Sequence, residues 1–293
     1  MPFWQRESAE EKQARERREG EQKASLAALQ AGELPPQAQR RLQEQRKLGD
    51  NFFINDLTSS EHILTQEAGY EPISQVMGSA FYKVAYRGYF QGAYGSTGEL
   101  AVLSHAQMAA RELAVHRLRQ EAQILGADGV IGVHLKAGNY DWSTNLVEFT
   151  AIGTAIRVHG RPTEDKPFTS DLSGQDFWTL LRAGYRPVGM VMGNCVYHVA
   201  HQSFGQWFNT VGQNVEMTNF TQALYDAREL AMERMQAEAT HLQAEGIVGV
   251  NIHEGSYGWS SHVIEFFTVG TAVIAMRADH IIPAPQLVLT VND

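Results

Sequence analysis

Two stretches of the chain decide its fold: residues 110–135, ARELAVHRLRQEAQILGADGVIGVHL, and residues 227–252, ARELAMERMQAEATHLQAEGIVGVNI. The second stretch repeats the first at an offset of 117 residues. Upstream, residues 67–86 recur at residues 182–201 with an offset of 115, so the intervening loop is two residues longer in the second copy. Matches of this length at a nearly constant offset indicate an internal duplication.

Both copies are predicted to begin with a short helix. Thr58 and Ser173 each have an acidic residue three positions later, which is the spacing of a helix N-cap. Gly69 and Gly184 stand where each helix would end with a left-handed residue.

The next elements are a strand, a long loop, a long helix and a hairpin of two strands. Ser104 and Gln107 resemble a capping box at the start of the long helix, and Gly126 is the predicted end of that helix. Arg117 and Glu121, like the equivalent pair in the second copy, are spaced as a solvated i,i+4 ion pair. The order of elements predicts an α+β fold, with a three-stranded sheet and one long helix on its face.

Composition and charge place the chain among folded proteins of a reducing compartment. It has 293 residues, a net charge of −9 and one cysteine, which excludes an intrachain disulfide and argues against nucleic acid as a partner. No signal peptide or membrane span is predicted, so the expected location is the cytoplasm. The predicted boundaries are a polar, helical or partly disordered leader (1–50), two domains (51–160 and 168–280) and an extended tail (281–293).

The last strand of each copy carries apolar residues on both faces, although one long helix covers only one of them. Val147, Phe149 and Ala151 share one face, and Leu146 and Ile152 lie on the other. An uncovered face of this kind indicates a packing partner. The candidates are the other copy, the short helix before each copy, or a neighbouring chain, and we favour the neighbouring chain.

The repeated pattern resembles the YbjQ (UPF0145) family. It comprises Ala110–Arg111, Glu121–Ala122, Leu125–Gly126–Ala127, Gly132–Val133 and Gly153–Thr154–Ala155, and it recurs in the second copy except at Gln243, where glycine is expected. The resemblance covers residues 70–158 and 185–276. It implies tandem dodecin-like β-α-β-β domains, with a three-stranded antiparallel sheet and one long helix, that assemble into pentameric rings.

Two domains in each chain create a parity problem, because whole chains cannot fill an odd ring if both copies join it. Five chains could form two stacked rings of domains, which is the arrangement we favour from the sequence. Otherwise the ring number differs, for example six domains from three chains.

The family's label as a heavy-metal-binding domain implies a metal site, which the residues support weakly. The candidate ligands are Cys195, His198, His253 and His262. Cys195 and His198 are three apart on a predicted strand and would point to opposite faces. None of the four recurs in the first copy, so we predict no metal site and no cofactor, with an ordinary thiol and hydrogen-bonded histidines instead.

Polar and aromatic residues present in both copies are better candidates for interface roles. Arg111 and Arg228 flank the apolar stripe of the long helix, and Glu148 and Glu265 lie on the last strand. We interpret them as salt-bridge partners within or between subunits, with a ligand-binding or catalytic carboxylate as the alternative. The hairpin tips carry aromatic residues that pack on a loop or stack on a ligand: Tyr140, Trp142, Tyr257 and Trp259.

No nucleotide-binding, metalloprotease or nucleophile-elbow motif is present. We therefore predict a non-enzymatic, ring-forming scaffold protein whose partner is itself, with a further protein partner possible through residues 1–50. One alternative is a metal- or small-ligand-binding protein with its site in a pore or subunit interface. The other is an enzyme with an intersubunit site.

Overall fold

A computed structural model describes residues 9–48, 53–83, 97–140, 143–158, 160, 166–199, 218–256 and 263–277. The leader forms two helices, α1 (Ala9–Gln30) and α2 (Pro36–Leu48). The elements of the first copy are α3 (Ser59–Glu67), β1 (Tyr70–Lys83), β2 (Gly98–Glu99), α4 (Ala101–Leu125), β3 (Gly129–Tyr140) and β4 (Ser143–Val158). Those of the second copy are β5 (Phe168–Thr169), α5 (Gly174–Arg182), β6 (Tyr185–His198), α6 (Thr218–His241), β7 (Gly246–Ser256) and β8 (Val263–Ala275).

The short helices α3 and α5 begin and end where the sequence predicts. The Thr58 hydroxyl accepts a hydrogen bond from the Glu61 N–H, and the Ser173 hydroxyl accepts one from the Asp176 N–H at 3.1 Å. Gly69 and Gly184 follow with φ near +87° and +88°, a region open to glycine at little steric cost. The predicted cap of α4 is wrong, because that helix begins at Ala101 and its N-cap residue makes no side-chain hydrogen bond.

Each copy contributes three antiparallel strands, in the order β1-β4-β3 or β6-β8-β7. The prediction of three-stranded sheets is wrong in one respect, because each sheet has four strands among the described residues. β5, which precedes the second copy, pairs in parallel with β3, and β2 of the first copy pairs antiparallel with β6. The two copies therefore exchange short strands. Such two-residue strands are too short to show any periodicity in the sequence.

Each long helix lies against the middle of its own first strand, where glycine allows close approach. A Cβ at Gly78 or Gly193 would overlap the backbone of α4 at Ala114 or of α6 at Ala231. The strand and helix backbones can therefore touch only because these positions lack a side chain.

The prediction of solvated i,i+4 pairs on the long helix is also wrong. Arg117 donates to the Ser79 carbonyl at 2.6 Å, and Glu121 accepts from the Met77 N–H at 3.0 Å. In the second copy Arg234 likewise donates to the Asn194 carbonyl, and Glu238 accepts a hydrogen bond from the Met192 N–H. β1 is an edge strand of its sheet. The charged side chains therefore satisfy backbone groups that an edge strand would otherwise leave open.

The leader is partly folded onto the first copy. Leu42 of α2 is fully buried in the core that contains α4, and Arg41 forms an ion pair with Glu121 at 3.1 Å. Leu26 of α1 is exposed. Within the described ranges, no helix is long and apolar enough to cross a bilayer.

Candidate functional site

Helix α4 lies between the two sheets and joins the copies. One core cluster combines Leu103 and Val115 of α4 with Met192 and Val196 of β6 and Phe267 of β8. The second face of the second copy's sheet is thus covered by the helix of the first copy. Our preference for a neighbouring chain at this face was wrong for the second copy.

Polar groups fix the register of α4 against β6. The Ser104 hydroxyl accepts a hydrogen bond from the Val196 N–H at 2.9 Å. The Asn194 amide donates to the Ser104 carbonyl at 3.2 Å and to the Gln107 side-chain oxygen at 3.1 Å. The two residues that resemble a helix cap are therefore buried at the contact between the copies.

An ion pair crosses the same contact. Arg111 of α4 donates to the Glu265 carboxylate of β8 at 2.5 Å, and the two side chains are only 6% and 18% exposed. The guanidinium lies over the rings of Phe149 and Phe267, 4.5 and 4.1 Å from their centroids. Since each ring comes from a different copy, the arginine is held by both. We call this contact, with Ser104, Gln107 and Arg111 of α4 on β6 and β8, the junction.

Arg228 and Glu148, the counterparts of Arg111 and Glu265 in the other copy, lie outside the junction. Arg228 has 45% of its side chain exposed and pairs with the adjacent Glu229 at 2.8 Å. Glu148 is half-buried and accepts a hydrogen bond from the Thr150 hydroxyl at 3.2 Å. The same two residue types therefore occur once inside the chain's own junction and once on its surface.

A cavity of about 420 Å³ opens beside the junction, between β3 and β7. It is lined by His134, His253 and Glu254, together with Arg111 and Glu265 of the junction. The carboxylate of Glu265 already accepts from Arg111, so it is not the unpaired acid that a catalytic interpretation requires.

Three of the four candidate metal ligands lie in the described residues, and these three do not form a group of ligands. Cys195 is fully buried against α6, and burial raises the pKa of its thiol to about 12. His198 is buried on the same strand, whereas His253 is exposed and stacks on Phe267. Among the residues that the structure describes, no three His, Cys, Asp or Glu side chains are close enough to hold a metal ion.

Several predicted residues lie outside the described part of the chain: Trp142, Tyr257, Trp259 and His262. The side chain of Tyr140 is also outside it.

Comparison with known proteins agrees with the repeated architecture. A family model described as "Putative heavy-metal-binding" matches residues 74–159 and 184–276, one match for each copy. This chain belongs to the YbjQ family. The prediction of tandem YbjQ domains is thereby confirmed, and α3 lies outside the matched ranges.

Relatives share either most of the chain or one YbjQ copy. An encapsulin nanocompartment protein of Mycobacterium tuberculosis is 43% identical over 250 residues, covering 84% of this chain and 93% of that protein. A UPF0145 protein of Pseudothermotoga lettingae is 36% identical over 96 residues, which is 31% of this chain and 87% of that protein. A UPF0145 protein of Acinetobacter baylyi is 34% identical over 88 residues, or 30% of this chain and 78% of that protein.

Proposed function

We propose that this protein is a non-enzymatic assembly protein whose YbjQ copies repeat the junction from chain to chain around a closed ring. We further propose that the ring is a building unit of an encapsulin-type nanocompartment. One observation carries the first proposal: the junction forms once inside the chain, and the chain also exposes both of its halves a second time.

The exposed sheet half lies on the first copy. Met77 and Phe81 of β1 correspond by the repeat offset to Met192 and Val196 of β6. Within the junction Met192 and Val196 are 2% and 0% exposed, whereas Met77 and Phe81 are 49% and 53% exposed. Large apolar side chains grouped on an open sheet face favour a covering partner.

The exposed helix half lies on α6 of the second copy. Arg228 corresponds to Arg111, and Leu224 and Met232 correspond to Gln107 and Val115. Leu224 and Met232 are only half-buried, whereas Gln107 and Val115 are buried. Docking of α6 on β1 and β4 of a partner subunit would bring Arg228 to Glu148 of the partner subunit, as Arg111 meets Glu265.

Such a contact is heterologous, because it joins two different surfaces. Repetition of one heterologous contact produces a ring when its rotation closes. The two copies would alternate around the ring, so the number of domains would be even. This supports the arrangement of whole chains in one ring, such as six domains from three chains, over two stacked rings of five.

The compartment role rests on the relative from Mycobacterium tuberculosis. That relative is named as an encapsulin nanocompartment protein, and its match covers 84% of this chain, which is more than the two family matches together. A match over 93% of that protein supports a shared architecture, including the elements outside the family model.

The molar mass in solution, measured by light scattering after size exclusion, tests the ring, and electron microscopy of the same fractions tests the compartment. We expect a discrete multiple of the chain mass, and rings as the repeating unit of closed particles. Phe81→Glu should yield single chains, whereas the exposed Ile63→Glu on α3 should assemble normally. A wild-type protein that remains monomeric at high micromolar concentration would overturn the proposal.

A small-ligand role is the second candidate, and one observation favours it. Arg111 Nη1 is buried and has no hydrogen-bond acceptor among the described residues. Since Arg111 lines the 420 Å³ cavity, an acceptor group on a bound molecule would satisfy this nitrogen. Mass spectrometry of protein purified under native conditions, before and after denaturation, would detect such a molecule.

A further inference from the structure

We infer that residues 53–57 form an additional strand against β7 of a second copy of this chain. Each contact between chains in the ring would then include main-chain strand pairing. This inference rests on the proposed ring and specifies a contact that ring formation alone does not require.

The chain contains the precedent for this contact. Residues 168–172 run parallel to β3 of the first copy. The Ser170 N–H donates to the Val130 carbonyl at 2.8 Å, and the Ser170 carbonyl accepts from the Val133 N–H at 2.9 Å. The Gly132 N–H donates to the Leu172 carbonyl at 2.8 Å. The segment that precedes the second copy thus occupies the open edge of the first copy's sheet.

Residues 53–58 are the equivalent segment of the first copy. They read FINDLT against FTSDLS at residues 168–173, and both segments lead into a capped short helix. Asp56 accepts a hydrogen bond from the Thr154 hydroxyl at 2.5 Å, and Asp171 accepts one from the Thr271 hydroxyl at 2.5 Å. These equivalent contacts hold both segments in the same position relative to their own sheets.

The outer side of this segment is open. Phe53 and Ile54 are 54% and 53% exposed. The Ile54 carbonyl accepts from the Gln75 N–H, so its own domain already occupies the inner side. In contrast, the equivalent Phe168 packs against Gly129 so closely that a Cβ at Gly129 would overlap its ring.

The edge of β7 is the matching acceptor, and no described strand pairs with it on that side. Val133 of β3 is buried, whereas the corresponding Val250 of β7 is 39% exposed. A Cβ at Gly246, the counterpart of Gly129, would meet only Val273 at 3.9 Å. β7 is the last strand of its sheet. An edge strand with open backbone groups accepts an extended segment by main-chain hydrogen bonding.

The partner must be another chain. At the junction, residues 168–172 belong to the second copy, whose sheet is covered by α4. The strand that accepts them, β3, belongs to the first copy, which supplies α4. The outer face of β1 is exposed within the chain, so the covering helix and its β7 both come from the partner subunit. Ile54 would then lie opposite Ile247 of the partner subunit, as Thr169 lies opposite Val130.

Disulfide trapping tests this register. The variant Ile54→Cys/Ile247→Cys, in a Cys195→Ala background, is analysed on a denaturing gel. It should run as covalent dimers and larger multimers after oxidation and as single chains after reduction. Neighbouring strands lie about 4.7–4.9 Å apart, which is within disulfide range. The matched control, Val130→Cys/Thr169→Cys, should cross-link only within the chain. Oxidised protein that assembles but shows no interchain cross-link would overturn the inference and leave the ring intact, whereas a monomeric wild type would defeat both.

A steric variant provides a second, independent measurement. Gly246→Ala should leave the unfolding of the dilute chain unchanged and weaken assembly at least tenfold, because its methyl group would overlap Phe53 of the partner subunit. Gly255→Ala, near the other end of β7 where a Cβ has room, should assemble like the wild type. Unchanged assembly of Gly246→Ala would overturn the inference.

Discussion

Replacement of Arg111 by methionine should destabilise the chain itself, because it leaves Glu265 at the junction without its cation. The two side chains are 6% and 18% exposed and bond at 2.5 Å. Removal of one partner from a buried pair costs about 3–5 kcal/mol. At about 2–4 °C per kcal/mol for a chain of this size class, the melting temperature should fall by roughly 6–20 °C.

The matched variant is Arg228→Met, at the equivalent position of the second copy. That side chain is 45% exposed, so its removal should change the unfolding free energy of the dilute chain by less than about 0.5 kcal/mol. Its effect should appear in assembly, as a lower molar mass at a given concentration. Arg111→Met/Glu265→Leu should recover most of the stability lost in the single variant, because no buried charge remains unpaired.

Urea unfolding of chains kept dilute enough to be monomeric measures these differences without a contribution from assembly. An Arg111→Met chain within 1 kcal/mol of the wild type would refute the account of the junction. So would an Arg228→Met chain that loses as much stability as Arg111→Met while monomeric.

Three other perturbations probe separate parts of the molecule. Leu42→Ala should cost about 2–5 kcal/mol in urea unfolding, because Leu42 is fully buried, and a change near zero would show that the leader does not stabilise the first copy. Burial raises the pKa of Glu238 above 4.5, so its ionised form destabilises the fold at neutral pH, and stability increases as pH falls through the raised value. Glu238→Gln should therefore be more stable than the wild type at pH 7.5 and lose this advantage near pH 4.5; an advantage independent of pH would contradict this. Cys195, with a pKa of about 12, should react with a thiol reagent only after denaturation, and rapid reaction of the native protein would contradict its burial.

The duplication could be predicted because it is visible as a repeat in the sequence itself. The caps of α3 and α5 could be predicted because each depends on residues only three positions apart. The sequence could not show which groups the polar side chains of α4 reach. Ser104 and Gln107 have the spacing of a cap, yet their partners are Val196 and Asn194, about 90 residues away. A helix pattern records which face is apolar, and it does not record which surface lies opposite.

The junction residues themselves carried a partial signal. Arg111 and Glu265 could be selected because each recurs in the other copy, but their pairing across the copies requires the fold. The i,i+4 spacing of Arg117 and Glu121 also fits a surface pair, and only the position of the edge strand β1 explains their burial. The additional strands β2 and β5 were missed because two residues carry no alternation.

Fusion of the two copies means that the two kinds of contact around the proposed ring are encoded by different residues. The contact within the chain uses Met192 and Phe267, whereas the corresponding surface between chains uses Met77 and Thr150. In a ring of single-domain subunits, one substitution would alter every contact at once. Here a substitution alters alternate contacts only, so the contact within the chain can remain tight while the other becomes weak enough to separate. The unit that leaves or enters the ring would then be the whole two-domain chain, and the ring could exchange subunits without unfolding either domain.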